Sequence, residues 1–226
     1  MMEVGVKLAI ALPCAGHDPK KEFWEAFTRL HKPFPWTFLT PKYPTDFYAG
    51  IADVRNELVR QSFESDCTSI LMLDTDQTPE PDLIVRLFKH NLPIVSARVH
   101  RRYPPYDPIM RRRSPANANR FEGVPVKEWG KGGLIEVDRT GVAACGLFDM
   151  TVFENVPFPW FESKSDDPTK GTKRLGEDFC FCDKLRKAGY KIYVDSSLEV
   201  GHLINFTVTK EFHFLWMKLQ EISKKK

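Results

Sequence analysis

The chain has 226 residues, with 33 Lys plus Arg against 30 Asp plus Glu and a formal net charge of +3. That length suits one domain with a substantial core, and 42% hydrophobic with 28% charged residues is an ordinary soluble composition. The small net charge argues against nucleic acid as a partner, and no apolar run approaches the roughly 18 residues of a membrane span.

The start of the chain lacks the layout of a signal peptide, because Val4 to Leu12 is interrupted by Lys7 and followed by Pro13. Five Cys, an odd number with no C-x-x-C pair, predict reduced thiols and a cytoplasmic setting. Cys180 and Cys182 lie two apart on a predicted helix and so cannot share a metal-binding face.

In chain order, Val4 to Leu12 reads as a first strand, with a loop from Pro13 to Asp18 at its carboxyl end. Lys20 to His31 has Phe23, Phe27 and Leu30 at helical spacing, with Asp18 as its expected cap. Trp36 to Leu39 is a second strand. Asp46 to Glu64 predicts a helix whose stripe is Phe47, Ile51, Val54, Leu58 and Ser62, leaving Arg55, Asn56 and Arg60 off it.

Ile70 to Leu73 is a short apolar run, a buried strand, which stops at Asp74-Thr75-Asp76. A helix from about Pro81 to His90 and a strand over Pro93 to Ala97 follow. This alternation argues an α/β fold with a mostly parallel sheet wrapped by helices.

From Arg98 to Gly133 the pattern breaks down. Arg101, Arg102, Arg111, Arg112, Arg113 and Arg120 are interleaved there with Tyr103, Tyr106, Phe121 and Trp129. Most of these arginines are expected to face water, and some to clamp phosphate or acceptor groups, since Arg matches oxyanions bidentately. Segments near Leu134 to Val137 and Val142 to Met150 read as strands. Ser163 to Arg174 is polar and aperiodic, either a lid or a plain connection.

Gly176-Glu177-Asp178 opens a helix running through Ala188. Strands over Tyr190 to Val194 and Leu198 to His202 come next, then an amphipathic helix from Thr209 to Ile222. That last helix is expected to dock on the protein body through Phe212, Leu215, Trp216, Leu219 and Ile222, with peripheral membrane contact as the second option.

Two aspartates at i and i+2 at the end of a strand can aim at one point, and hard oxygen ligands suit Mg²⁺ or Mn²⁺. Fifteen aspartates predict roughly one such pair by chance, so the bland alternative is a solvated turn with Asp76 capping the next helix. An EF-hand is excluded, because Pro79 and Val85 stand where Gly and Glu are required.

The order of Asp74-Thr75-Asp76, Gly176-Glu177-Asp178 and His202 resembles the GT-A-type glycosyltransferases of family 2. The stretch from Gly176 to Ile192 looks much like that family's catalytic segment. The resemblance implies a GT-A-like domain over 1–226. Residues 1–98 would form a nucleotide-binding half, 99–206 an acceptor and catalytic half with a smaller mixed sheet, and 207–226 a C-terminal helix. It implies metal-dependent transfer of a sugar from a nucleoside-diphosphate sugar, UDP favoured, to a hydroxyl of a glycan, lipid or protein.

In that reading Asp74, Asp76 and His202 hold Mn²⁺ or Mg²⁺, Asp178 is the base of an inverting reaction, and Glu177 orients the acceptor. Pro13, Cys14, Ala15, Arg55, Asn56, Asp74, Thr75 and Asp76 meet the nucleotide, and Gly141 to Phe148 border the acceptor. Alternatives are a sugar-phosphate nucleotidyltransferase, disfavoured by the lack of a Gly-rich basic loop after the first strand, and a non-catalytic binding module of the same fold.

Overall fold

A computed structural model describes residues 5–14, 18–43, 48, 50–165 and 174–223. In order the elements are β1 (Leu8–Ala11), α1 (Lys21–Arg29), β2 (Trp36–Leu39), α2 (Ile51–Glu64), β3 (Ser69–Leu73), β4 (Gln77–Thr78), α3 (Leu83–Lys89) and β5 (Ile94–Val99). Then come β6 (Met110–Ser114), β7 (Asn117–Gly123), α4 (Val126–Trp129), β8 (Leu134–Val137), β9 (Arg139–Thr140), β10 (Cys145–Asp149) and α5 (Thr151–Asn155). The chain continues with β11 (Lys164–Ser165), β12 (Arg174–Leu175), α6 (Glu177–Lys187), β13 (Ile192–His202) and α7 (Lys210–Ser223).

Among the described residues the main sheet has eight strands in the order β2-β1-β3-β10-β5-β13-β4, with β8 paired to β13. Strands β2, β1, β3, β5 and β13 run parallel, while β10, β8 and β4 are antiparallel to their neighbours. Alternation along each strand divides the core in two. Ala9, Ile70, Met72 and Phe148 pack with α2, α5 and α6, whereas Leu8, Ile10, Leu71, Leu73 and Leu147 pack with α1 and α3. Strands buried on both faces read as continuous apolar runs, which is why β1 and β3 were legible.

Two features place the site. Strand β10 runs back between β3 and β5, so the turn preceding it returns to the carboxyl edge of β3, where Asp74 N–H donates to Ala144 O at 2.8 Å. Gly146 permits this reversal, since a Cβ there would lie 1.9 Å from Val142 O. Strand β13 is one long strand rather than two, with its register shifting between Asp195 and Glu199. Beyond that bulge it pairs with β4, setting His202 opposite Gln77.

The stretch from 98 to 133 is irregular only in part. It contains the β6-β7 hairpin, which joins β9 in a second sheet that is wholly antiparallel rather than mixed. Helix α1 starts at Lys21 with no side-chain cap, so Asp18 does not cap it. Helix α7 buries none of its residues, and Phe214, Leu215, Trp216, Leu219 and Ile222 are exposed, so it does not dock on the body as expected. No helix among the described residues is long and apolar enough to cross a membrane. All five cysteines are free.

Candidate functional site

Helix α6 presents its first turn at the carboxyl edge of the sheet. It is held there by Phe181, fully buried, whose ring lies 4.4 Å from Phe161 and 5.5 Å from Phe153. Glu177 and Asp178 therefore project from a helix start whose dipole favours anions. Behind them stands Arg55 of α2, 2% exposed. Its guanidinium meets Glu177 Oε1 at 2.5 Å, Asp178 Oδ2 at 3.4 Å and both oxygens of Asp74 at 2.9 and 3.1 Å.

One buried cation thus faces three carboxylates. Burial works against the Arg55 charge, but Asp178, Asp74 and Glu177 outweigh it and keep it protonated. For Asp178 the loss of water dominates, aided by Glu177 and Asp74 and opposed by Arg55 and the Ala143 N–H. Its carboxyl is pushed up to about 6. Asp74 is also raised, chiefly by burial. These directions follow from desolvation of the charged form and from like charges at close range.

A second constellation sits at the end of β13. His202 Nδ1 lies 2.7 Å from His100 O, and its Nε2 faces Asp76 Oδ2 at 3.2 Å; Arg102 Nη1 reaches the same oxygen at 3.0 Å. Burial opposes both charges, yet the mutual hydrogen bond prevails. Asp76 is held below the usual carboxylate range and His202 is raised.

A cleft of about 960 Å³ is lined by Glu177, Asp178 and His202 together with Arg101, Arg102, Arg111, Arg120 and Arg139. Gly141 also lines it; a Cβ there would stand 4.0 Å from Asp178 Oδ2, so the absent side chain keeps the carboxylate approachable.

Asp178, Glu177 and His202 share the cleft, and Asp76 touches it through His202 and Arg102. Asp74 does not join Asp76 and His202, because both its oxygens are taken by Arg55. No group of three or more His, Cys, Asp and Glu at metal spacing occurs among the described residues. Thr75 stands half-buried in the turn between the two aspartates.

Arg55 and Asn56, both expected at the nucleotide, are buried against protein partners. Asn56 Nδ2 donates to Phe161 O at 2.8 Å, and its Oδ1 accepts from Phe161 N–H at 3.0 Å, so it fixes the segment before α6. Pro13 is buried and Cys14 half-buried at the carboxyl end of β1, beside β3 but outside the cleft lining; Ala15 lies outside the described residues.

Arg55 stands off the apolar stripe of α2, and its burial follows from Asp74, Glu177 and Asp178, partners that spacing along the chain does not reveal. Of the arginines between 98 and 133, Arg102, Arg113 and Arg120 are exposed and Arg101, Arg111 and Arg112 half-buried; Arg101, Arg102, Arg111 and Arg120 line the cleft, while Arg112 bonds Glu128 and Glu136 O. Arg139, not singled out from sequence, is held bidentately by Asp183 at 2.9 and 2.7 Å. Most of the 163–174 stretch, read as a lid or a connection, lies outside the described residues.

No protein-family profile matches the sequence, and neither does any curated protein. Solved structures do. The protein A197 from STIV superposes with a TM-score of 0.57 at 16% identity, covering 88% of this chain and 87% of that one. TarS 1-349 of S. aureus, in complex with UDP-GlcNAc, superposes with a TM-score of 0.52 at 10% identity, covering 90% of this chain and 60% of that one. The fold is GT-A-like. At these identities the likeness establishes architecture alone, and the chemistry is argued from the side chains.

Proposed function

We propose that the chain is a metal-dependent glycosyltransferase that moves a sugar from a nucleoside-diphosphate sugar to a hydroxyl acceptor with inversion. The observation that carries the reading is Asp178: a desolvated carboxylate with its pKa raised to about 6, in a cleft it shares with His202. Inverting transfer needs a base that takes the acceptor proton as the oxygen attacks, and a base poised just below neutrality meets that need. Ala143 N–H and Arg55 fix the orientation of the carboxylate. The uncharged Gly141 leaves one side of it open.

Asp76 and His202 fit a divalent cation. With Nδ1–H donated to His100 O, a neutral His202 turns its Nε2 lone pair toward Asp76 Oδ2, an arrangement that calls for a proton or a metal ion. One carboxylate and one imidazole suit Mn²⁺ or Mg²⁺ completed by substrate phosphates. Such an ion supplies Lewis-acid stabilisation of the departing diphosphate. Asp74 acts through Arg55 instead, holding the guanidinium between β3 and α6. Arg102, beside Asp76, adds positive charge where the leaving group's charge grows.

That TarS binds UDP-GlcNAc on a similar fold supports a nucleotide-sugar donor, and UDP is the base we favour. The test is thermal unfolding with UDP-, GDP- and dTDP-sugars in Mn²⁺, in Mg²⁺ and in EDTA. Metal-dependent stabilisation by one donor class supports the reading; no response to any donor contradicts it.

A further inference from the structure

On the hairpin wall of the cleft, Arg111 of β6 lies directly opposite Arg139 of β9 in the antiparallel register. Residues directly opposed on neighbouring strands share a face, and like charges there are destabilising. Both residues nevertheless line the cleft.

Each is held in place. Arg139 is gripped by Asp183 and laid over the Phe121 ring at 3.6 Å. Arg111 packs over Gly123, where any Cβ would come within 3.0 Å of its Nη1. Among the described residues the balancing acid is scarce: Asp107 serves both Arg101 at 3.2 Å and Arg111 at 3.5 Å, while Arg120 meets Glu122 at 3.9 Å. The wall therefore carries more guanidinium than carboxylate.

Its position relative to the base is set by the same strands. Gly141 and Ile109 meet where β9 and β6 converge, with the Gly141 Cβ position 3.7 Å from Ile109 Cδ1 and 4.0 Å from Asp178 Oδ2. Arg139 and Arg111 stand two residues along the chain from Gly141 and Ile109, a span of about 7 Å in extended backbone. Arg102, beside Asp76, stands instead at the end of the cleft assigned to the donor.

We infer that the Arg111–Arg139 pair binds an oxyanion of the acceptor, a phosphate or carboxylate one short unit from the hydroxyl that faces Asp178. The acceptor class is then anionic rather than a neutral glycan. The part of this that concerns transfer rests on the proposed function; the anion site itself does not. Two fixed guanidiniums offer paired N–H donors, which match either oxyanion bidentately.

The full chain is titrated calorimetrically with glycerol 3-phosphate, glycerate and glycerol, without donor. The first two are expected to bind and glycerol not. Arg111→Gln is expected to weaken the anions by about tenfold or more, Arg111→Lys less so, with melting temperature confirming the fold. In the transfer assay Arg111→Gln should raise KM for an anionic acceptor and leave metal-dependent donor stabilisation unchanged. Equal binding of glycerol and glycerol 3-phosphate, or anion affinity unaltered in Arg111→Gln, overturns the inference. Anion binding lost in the variant while no donor binds the wild type would sustain the anion site and sink the transferase reading.

Discussion

Arg55 Nη1 and Asp178 Oδ2 lie 3.4 Å apart, joining the middle of α2 to the first turn of α6 across the carboxyl edge of the sheet. The same guanidinium holds Asp74 and Glu177, so a single buried cation ties α2 to the end of β3 and to α6, where Glu177 is 122 residues from Arg55 in sequence.

Removing that cation should cost much of the chain's stability. Arg55→Met keeps volume and leaves three carboxylates uncompensated, a class of change that costs about 3–5 kcal/mol. The cost should shrink in acid, because Asp178, raised to about 6, becomes neutral there. Urea unfolding of wild type and variant at pH 7.5 and 5 checks both the size and the sign. A pH-independent difference would mean that Arg55 acts by packing.

Asp178 carries opposite pH signatures in stability and in turnover. Its native pKa of about 6 exceeds the ordinary carboxyl value of 3.8, so the native state holds the proton more tightly. Stability contributed by this group is present below the ordinary value and is lost as pH rises through about 6. Turnover needs the ionised base and should fall as pH drops below about 6. Subtracting the unfolding free energies of Asp178→Asn from wild type across pH 4–8 isolates the first effect, and the rate profile gives the second.

The fold was far more legible than the site, for a physical reason. Strands buried on both faces, such as β3, announce themselves as unbroken apolar runs, and α6 announces itself by its acidic first turn and the glycine at its end. The β6-β7 hairpin did not, because its arginines pair with Asp107, Glu128 and neighbouring main chain rather than forming an apolar face. The reversed direction of β10 was equally invisible, since parallel and antiparallel strands in a core share one composition. At the site, Asp178 and His202 stood out by order along the chain. The roles of Arg55, Asn56 and Asp74 depend on which partner each finds across more than a hundred residues or a sheet edge, and spacing does not encode that.

Asn56 tests this distinction between contacting a ligand and building its surroundings. Asn56→Ala strands the Phe161 N–H and C=O, each worth about 1–3 kcal/mol when buried without a partner. Chemical denaturation should show that loss, while donor affinity of the folded fraction stays at the wild-type value. Weakened donor binding with normal stability would restore the nucleotide-contact role.

Helix α7 should be dispensable for folding. None of its residues is buried, so ending the chain after Phe206 removes almost no core area. The melting temperature should be unchanged within a degree or two. A drop of many degrees would show that the helix packs on the body after all.

The most direct test of the account is Asp178→Asn, an almost isosteric exchange that removes the base and keeps the Ala143 N–H contact at Oδ1. Sugar transfer should fall by about a hundredfold to ten-thousandfold, as for loss of a general base, while the metal-dependent stabilisation by the donor persists. Transfer by the variant at the wild-type rate would contradict the assignment.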